Sequence, residues 1–167
     1  MRYHNVVLAG FMGSGKSTVG PLVADQLGFR FVDTDAVIVQ EAGRSIPQIF
    51  EHEGEAGFRE REARICQHVA WEPDTVIATG GGALINRRTR HAILAHSMVI
   101  WLKVSLAEVE RRVGRAQDRP LFRDPVRVRQ LFQRRLPVYA GFPFHVETDG
   151  RAPQPIAEEI VRLWYSS

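Results

Sequence analysis

The run Gly10-Phe11-Met12-Gly13-Ser14-Gly15-Lys16-Ser17 constrains this chain more than any other stretch. It fits, without a gap, the pattern GxxxxGK followed by Ser or Thr, and it stands where that pattern has physical meaning. Ahead of it, Asn5 to Ala9 (NVVLA) is a short β-branched apolar run. Behind it, Ser17 to Leu27 places Val19, Leu22, Val23 and Leu27 at helical spacing. A strand, a glycine loop and a helix in that order turn backbone N–H groups and the positive end of a helix dipole toward one point, a site for phosphate. Lys16 then reaches the β and γ phosphates of ATP, with Gly13, Ser14, Gly15 and Thr18 around them. The Ser17 hydroxyl is placed to bind the Mg²⁺ that bridges those phosphates.

The strand-then-helix pattern repeats. Phe29 to Asp33 reads as a strand and Thr34 to Gln40 as a helix, and Ile46 to Phe50 and Phe58 to Val69 continue helical. Thr75 to Thr79 (TVIAT) and Met98 to Leu102 (MVIWL) are buried-strand candidates either side of a helical stretch around Arg88 to Ala95. Phe144 to Thr148 supplies a fifth strand before a closing helix, Pro155 to Trp164. Near-continuous apolar strands alternating with helices indicate a parallel sheet covered on both faces. The expected fold is α/β, three-layered α/β/α around a five-stranded parallel sheet, in one domain spanning 1–167. Gly114 to Asp124 is the most polar internal segment and reads as a loop, with a lid at about 112–124.

At 167 residues and 44% hydrophobic content, the chain can bury one sizeable core. No stretch approaches the roughly 18 uninterrupted apolar residues of a membrane span, and no signal-peptide core follows Met1, so a cytoplasmic protein without membrane contact is expected. Cys66, the single cysteine, has no partner for a disulfide and reads as a buried inert thiol. Twenty of the 22 basic residues are arginine, whose fork suits carboxylates and phosphates, although most are expected on solvated helix surface. Basicity also suggests nucleic acid, but no basic tail, aromatic-rich RNA-binding strand or zinc-finger spacing accompanies it, so no nucleic-acid partner is expected.

Many proteins with this phosphate loop hold Mg²⁺ with an aspartate at the end of a neighbouring strand. Here the strand from Thr75 ends in Gly80-Gly81-Gly82, and its nearby acid, Asp74, stands at the wrong end. The carboxylates must come from Asp33-Thr34-Asp35. In an extended chain residues two apart point to one side, which would turn both acids toward one site. Asp33 is assigned to the metal's outer shell and Asp35 to the acceptor hydroxyl, which it would orient and deprotonate. A helix N-cap with a solvated neighbour accounts equally well for one of the two.

After the phosphate loop and Asp33-Thr34-Asp35 come Gly43-Arg44-Ser45-Ile46, Ile49-Phe50, Gly54-Glu55, Phe58-Arg59 and Glu62, then Gly80 to Gly82, Arg119-Pro120-Leu121 and Arg135-x-Pro-x-Tyr139. This ordered set resembles the shikimate kinases from Gly10 to Tyr139. The resemblance implies a P-loop kinase fold, and it implies that Arg59 and Arg135 grip a substrate carboxylate with Glu62 holding Arg59 in place. On spacing alone Arg59 would be an ordinary charge among Glu60, Arg61, Glu62 and Arg64. Gly80, Gly81 and Gly82 would bring bare backbone beside the substrate. The helical segment at about 34–62 would bind that substrate.

The same resemblance makes Arg119 the lid arginine that meets the transferring phosphate, with closure excluding water. Arg112 would stack on adenine, with Arg151 and Pro153 bordering that pocket, although Arg111 is adjacent to Arg112. Gly141-Phe142-Pro143-Phe144 is more aromatic than the family pattern after its tyrosine. The implied activity is ATP- and Mg²⁺-dependent phosphorylation of the 3-hydroxyl of shikimate, on the route to chorismate and the aromatic amino acids, by a monomer. The competing readings are a gluconate-kinase-like enzyme, a silent nucleotide-binding module that would have lost Lys16, Asp35 or Arg119, and a nucleic-acid-associated NTPase.

Overall fold

The computed structural model describes residues 3–113 and 124–167. Five strands form one sheet: β1 (Asn5–Ala9), β2 (Arg30–Asp33), β3 (Thr75–Ala78), β4 (Ser97–Lys103) and β5 (Phe144–Glu147). Their order is β2-β3-β1-β4-β5 and every pairing is parallel, with Val6 opposite Val76 and Met98. The helices are α1 (Lys16–Leu27), α2 (Thr34–Ala42), α3 (Ile46–Ala70), α4 (Arg87–Leu94), α5 (Leu106–Val113), α6 (Pro125–Ala140) and α7 (Pro153–Tyr165), with a 3₁₀ turn at Ala83–Ile85.

Successive side chains of a strand face opposite sides, and in β1 both sides are apolar. Val6 and Leu8 join Val19 and Val23 of α1 and Ile156 and Ile160 of α7 in one core layer. Val7 and Ala9 join Cys66 and Val69 of α3, Ile93 of α4, Val109 of α5 and Tyr139 of α6 in the other. Each fully buried Val or Leu contributes about 1.5–3 kcal/mol, so a strand buried on both faces is a rigid platform for whatever sits at its end. Cys66 lies in that interior, where burial pushes its thiol up to about 12.

The two helical runs expected at Ile46 to Phe50 and Phe58 to Val69 are one element, α3, kinked at Gly54 (φ 70°, ψ 180°). Across the kink Arg61 holds Glu53 with two bonds, 2.7 and 2.9 Å. Ile38 of α2 packs with Ile49, Phe58 and Ile65 of α3 in a separate small core, which couples this helical pair as a unit. No helix among the described residues is long and apolar enough to cross a membrane.

The chain leaves β1 toward β3 and β2 on one side and later passes to β4 and β5 on the other. In parallel sheets the ends of the strands beside that reversal leave an open crevice, where ligands bind.

Candidate active site

Strand β1 ends in the phosphate loop. Gly13 and Gly15 have φ of 79° and 96°, which side chains rarely tolerate, and Gly15 is the N-cap of α1. Lys16 Nζ donates to Gly10 O at 2.8 Å, Phe11 O at 3.0 Å and Ser14 Oγ at 3.3 Å. Ser17 and Thr18 follow in the first turn of α1. A cavity of about 220 Å³ opens over the loop, lined by Gly13, Gly15, Lys16, Ser17, Asp33 and Asp35 among others.

The acidic pair does not stand on an extended chain as the two-residue alternation assumed. Asp33 ends β2 and caps α2, while Asp35 is already in the first turn of α2. Asp33 divides its carboxylate between two tasks. Oδ1 accepts the N–H groups of Asp35 (3.0 Å) and Ala36 (3.4 Å), and Oδ2 accepts the Ser17 hydroxyl at 2.7 Å. One carboxylate thus caps α2 and faces the Ser17 hydroxyl. Ser17 and Asp33 offer hard oxygens at the loop mouth, which suits Mg²⁺, an ion that keeps several waters and takes few protein ligands. Among the described residues no three His, Cys, Asp or Glu side chains converge as a metal cage.

Thr34, the middle residue, carried no assignment from sequence, yet it is fully buried and its Oγ1 accepts the Gly80 N–H at 3.1 Å. That bond fixes the triple-glycine turn against α2. Each glycine of the turn gives room to a charged neighbour. A Cβ on Gly80 would sit 2.7 Å from Asp35 Oδ1, one on Gly81 2.9 Å from Arg135 Nη1, and one on Gly82 2.6 Å from Arg59 Nη1. The glycines let α2, α3 and α6 bring three functional groups to a single turn.

Arg59 Nη1 donates to Glu62 Oε2 at 2.6 Å, one turn on in α3. Glu62 is 3% exposed, and this burial raises its carboxyl above the ordinary glutamate range, while the Arg59 charge pulls it back down. Arg135 lies over the Phe11 ring, 5.6 Å from its centroid, and Phe11 in turn packs edge-on against Phe132 of α6. Tyr139, one turn beyond Arg135, donates its buried hydroxyl to Gly81 O, and burial raises its pKa to about 12. In sequence, Phe11 and Tyr139 stand only as motif positions. Their contacts with Arg135 and Gly81 span elements far apart in sequence.

On the other flank of the loop, Arg112 belongs to α5 rather than to a loop beginning at 112. Its Nη1 donates to Gly13 O at 3.0 Å and its Nη2 to Thr148 O at 2.7 Å, while neighbouring Arg111 pairs with Glu108 and lines the same groove without those two bonds. Arg112, Arg151 and Pro153 border one groove of about 380 Å³ together with Gly13, Ser14, Gly15 and Thr18. Arg119 and most of the expected lid lie outside the described residues, and Asp124, at the far end of the lid range, is the N-cap of α6.

Comparison with known proteins gives the same direction. The family model described as shikimate kinase matches residues 12–164. A shikimate kinase from Sulfurihydrogenibium sp. is 40% identical over 94% of this chain and 95% of its own length. A solved shikimate kinase from Acinetobacter baumannii, in complex with shikimate, superposes with TM-score 0.92 at 34% identity, covering 98% of this chain and 94% of that one. A gluconokinase from Sinorhizobium meliloti reaches TM-score 0.64 at 18% identity over 99% and 94% of the two chains, a likeness of fold alone. With a phosphate loop and an acidic junction lining one cavity, an arginine pair against the glycine turn beside it, and a family match over most of its length, this chain belongs to the shikimate kinase family of ATP-dependent transferases.

Proposed function

We propose that the crevice transfers the γ-phosphate of ATP to the 3-hydroxyl of shikimate, giving shikimate 3-phosphate and ADP, a step toward chorismate and the aromatic amino acids. The observation that carries this reading is that Asp35, Arg135 and Arg59 stand against three successive glycines of one turn, beside the cavity that holds Lys16. A ring bearing a carboxylate and a hydroxyl needs that combination. Two guanidinium forks grip the carboxylate and a carboxylate faces the hydroxyl.

Lys16 and the loop N–H groups hold the β and γ phosphates. The Ser17 hydroxyl, with Asp33 in the outer shell, would hold Mg²⁺, whose charge would offset that of the phosphates. Asp35 orients the acceptor hydroxyl and takes its proton as the oxygen attacks phosphorus. Glu62 keeps Arg59 aimed, and Gly80 to Gly82 allow close approach. Arg112, Arg151 and Pro153 border the base. Arg119 supplies positive charge at the transferring phosphate, as the family resemblance implies. Catalysis is then mostly positioning and charge stabilisation.

A coupled ADP-release assay with ATP and Mg²⁺ tests the reading, run in parallel with shikimate, gluconate and no acceptor. Shikimate-dependent release is expected. Release that favours gluconate, or that is equal without acceptor, would replace it with a gluconate kinase or an NTPase, and none at all would point to a silent binding module.

A further inference from the structure

Arg112 is bound by a residue that none of the motifs contains. Glu108, one turn earlier in α5, accepts Arg112 Nε at Oε1 (2.7 Å), while Arg111 donates to Oε1 at 2.6 Å and to Oε2 at 2.7 Å. Bonds from Arg111 and then Arg112 hold the Glu108 carboxyl at about 2, so it is ionised wherever an enzyme assay is run. The start of α5 is pinned as well. Ser105 Oγ accepts the Glu108 N–H at 3.2 Å, and the Ser105 N–H donates to Asp149 Oδ1 at 2.9 Å.

Each edge of the planar Arg112 group is therefore committed: Nε to Glu108, Nη1 to Gly13 O and Nη2 to Thr148 O. With bonds at all three nitrogens holding its plane, the guanidinium presents its flat face, which suits a planar base. The Gly13 bond also ties that face to the phosphate loop, so base and phosphates are presented in fixed relation.

We propose that Glu108 is a positioning residue for the nucleotide, acting through Arg112. Without the Glu108 charge, the bond at Arg112 Nε loses its charge assistance, and the clamp on Gly13 O loosens with it. The inference rests on the nucleotide-binding reading of the loop and not on which acceptor is phosphorylated.

The test is calorimetric titration of the full chain with a nonhydrolysable ATP analogue and Mg²⁺, alongside shikimate titrations. Glu108→Gln should weaken analogue binding about 5–20-fold, the scale of one charge-assisted hydrogen bond, and leave shikimate affinity within about twofold. In an Arg112→Ala background the same change should add less than about twofold, because its route of action is gone. Arg112→Lys serves where Arg112→Ala does not fold. Unchanged analogue affinity, a full multiplicative effect in the double variant, or equal loss for both ligands with a lowered Tm would each overturn the proposal. A wild-type chain that binds the analogue but does not turn over shikimate would overturn the acceptor reading alone.

Discussion

Lys16 donates hydrogen bonds to Gly10 O, Phe11 O and Ser14 Oγ of its own loop, whereas Arg59 meets Glu62 and Glu55 on its helix and a turn that follows β3. In the proposed assignment the phosphate-binding half of the crevice is mostly backbone, made by consecutive residues between β1 and α1. The acceptor half is mostly side chains, delivered by α2, α3 and α6 to the Gly80 to Gly82 turn. Backbone donors are fixed once the loop folds, so that half can serve any phosphate. Side-chain clamps depend on the packing beneath them, so the acceptor half is where specificity can be built and where it can be lost.

Four substitutions separate the halves, in descending order of expected effect. Asp35→Asn keeps the shape of the acceptor half but removes its base; turnover should fall roughly 10²–10⁴-fold with ATP-analogue affinity within about twofold. Wild-type turnover in this variant would sink the role given to Asp35. Lys16→Ala damages the other half. Turnover should drop roughly 10²–10³-fold whatever the acceptor, acceptor-free ATP hydrolysis included, and normal ADP release would contradict the loop assignment.

Glu62→Gln should raise the KM for shikimate about tenfold and leave that for ATP unchanged. It also has a pH signature. Burial lifts the Glu62 carboxyl above its ordinary 4.5, against the pull of Arg59. Acidification therefore protonates Glu62 early and releases Arg59, so the wild-type shikimate KM should rise with a midpoint above 4.5, while the variant's stays flat. Stability moves the opposite way. A raised carboxyl pKa means that the folded chain holds the proton more tightly, so this contribution is complete below the unfolded pKa and is lost as pH rises through the folded one. The smallest effect is expected from Tyr139→Phe, which deletes the bond to Gly81 O: a rise of about two- to tenfold in the shikimate KM, with the ATP KM unmoved. Equal shifts in both would mean that Tyr139 supports the whole crevice rather than one half.

The legibility of these halves in the sequence differs for the same reason. The phosphate loop is eight consecutive residues with a strand before and a helix after, so local spacing is enough to place Lys16 and Ser17 at the start of α1 beside the cavity. The acidic junction was harder. Two-residue alternation and a helix N-cap both fit Asp33-Thr34-Asp35 in sequence; Asp33 is the N-cap of α2, and a strand that turns directly into a helix abolishes the alternation. A buried threonine between two acids was the available clue to the contact between Thr34 and Gly80. Glu108 and Arg112 are visible as a helical pair four apart, but nothing local points to Gly13, 99 residues earlier.

By itself, then, the order of apolar strands, glycines and helical spacing determined a parallel α/β sheet with a phosphate loop, because hydrophobic periodicity and backbone freedom act over a few residues. The tertiary structure alone decided which charges meet. It set Arg59, Arg135 and Asp35 against three glycines and hung Arg112 between Gly13 and Thr148, since a side chain's partner across the fold depends on how whole elements pack and not on its neighbours in the chain.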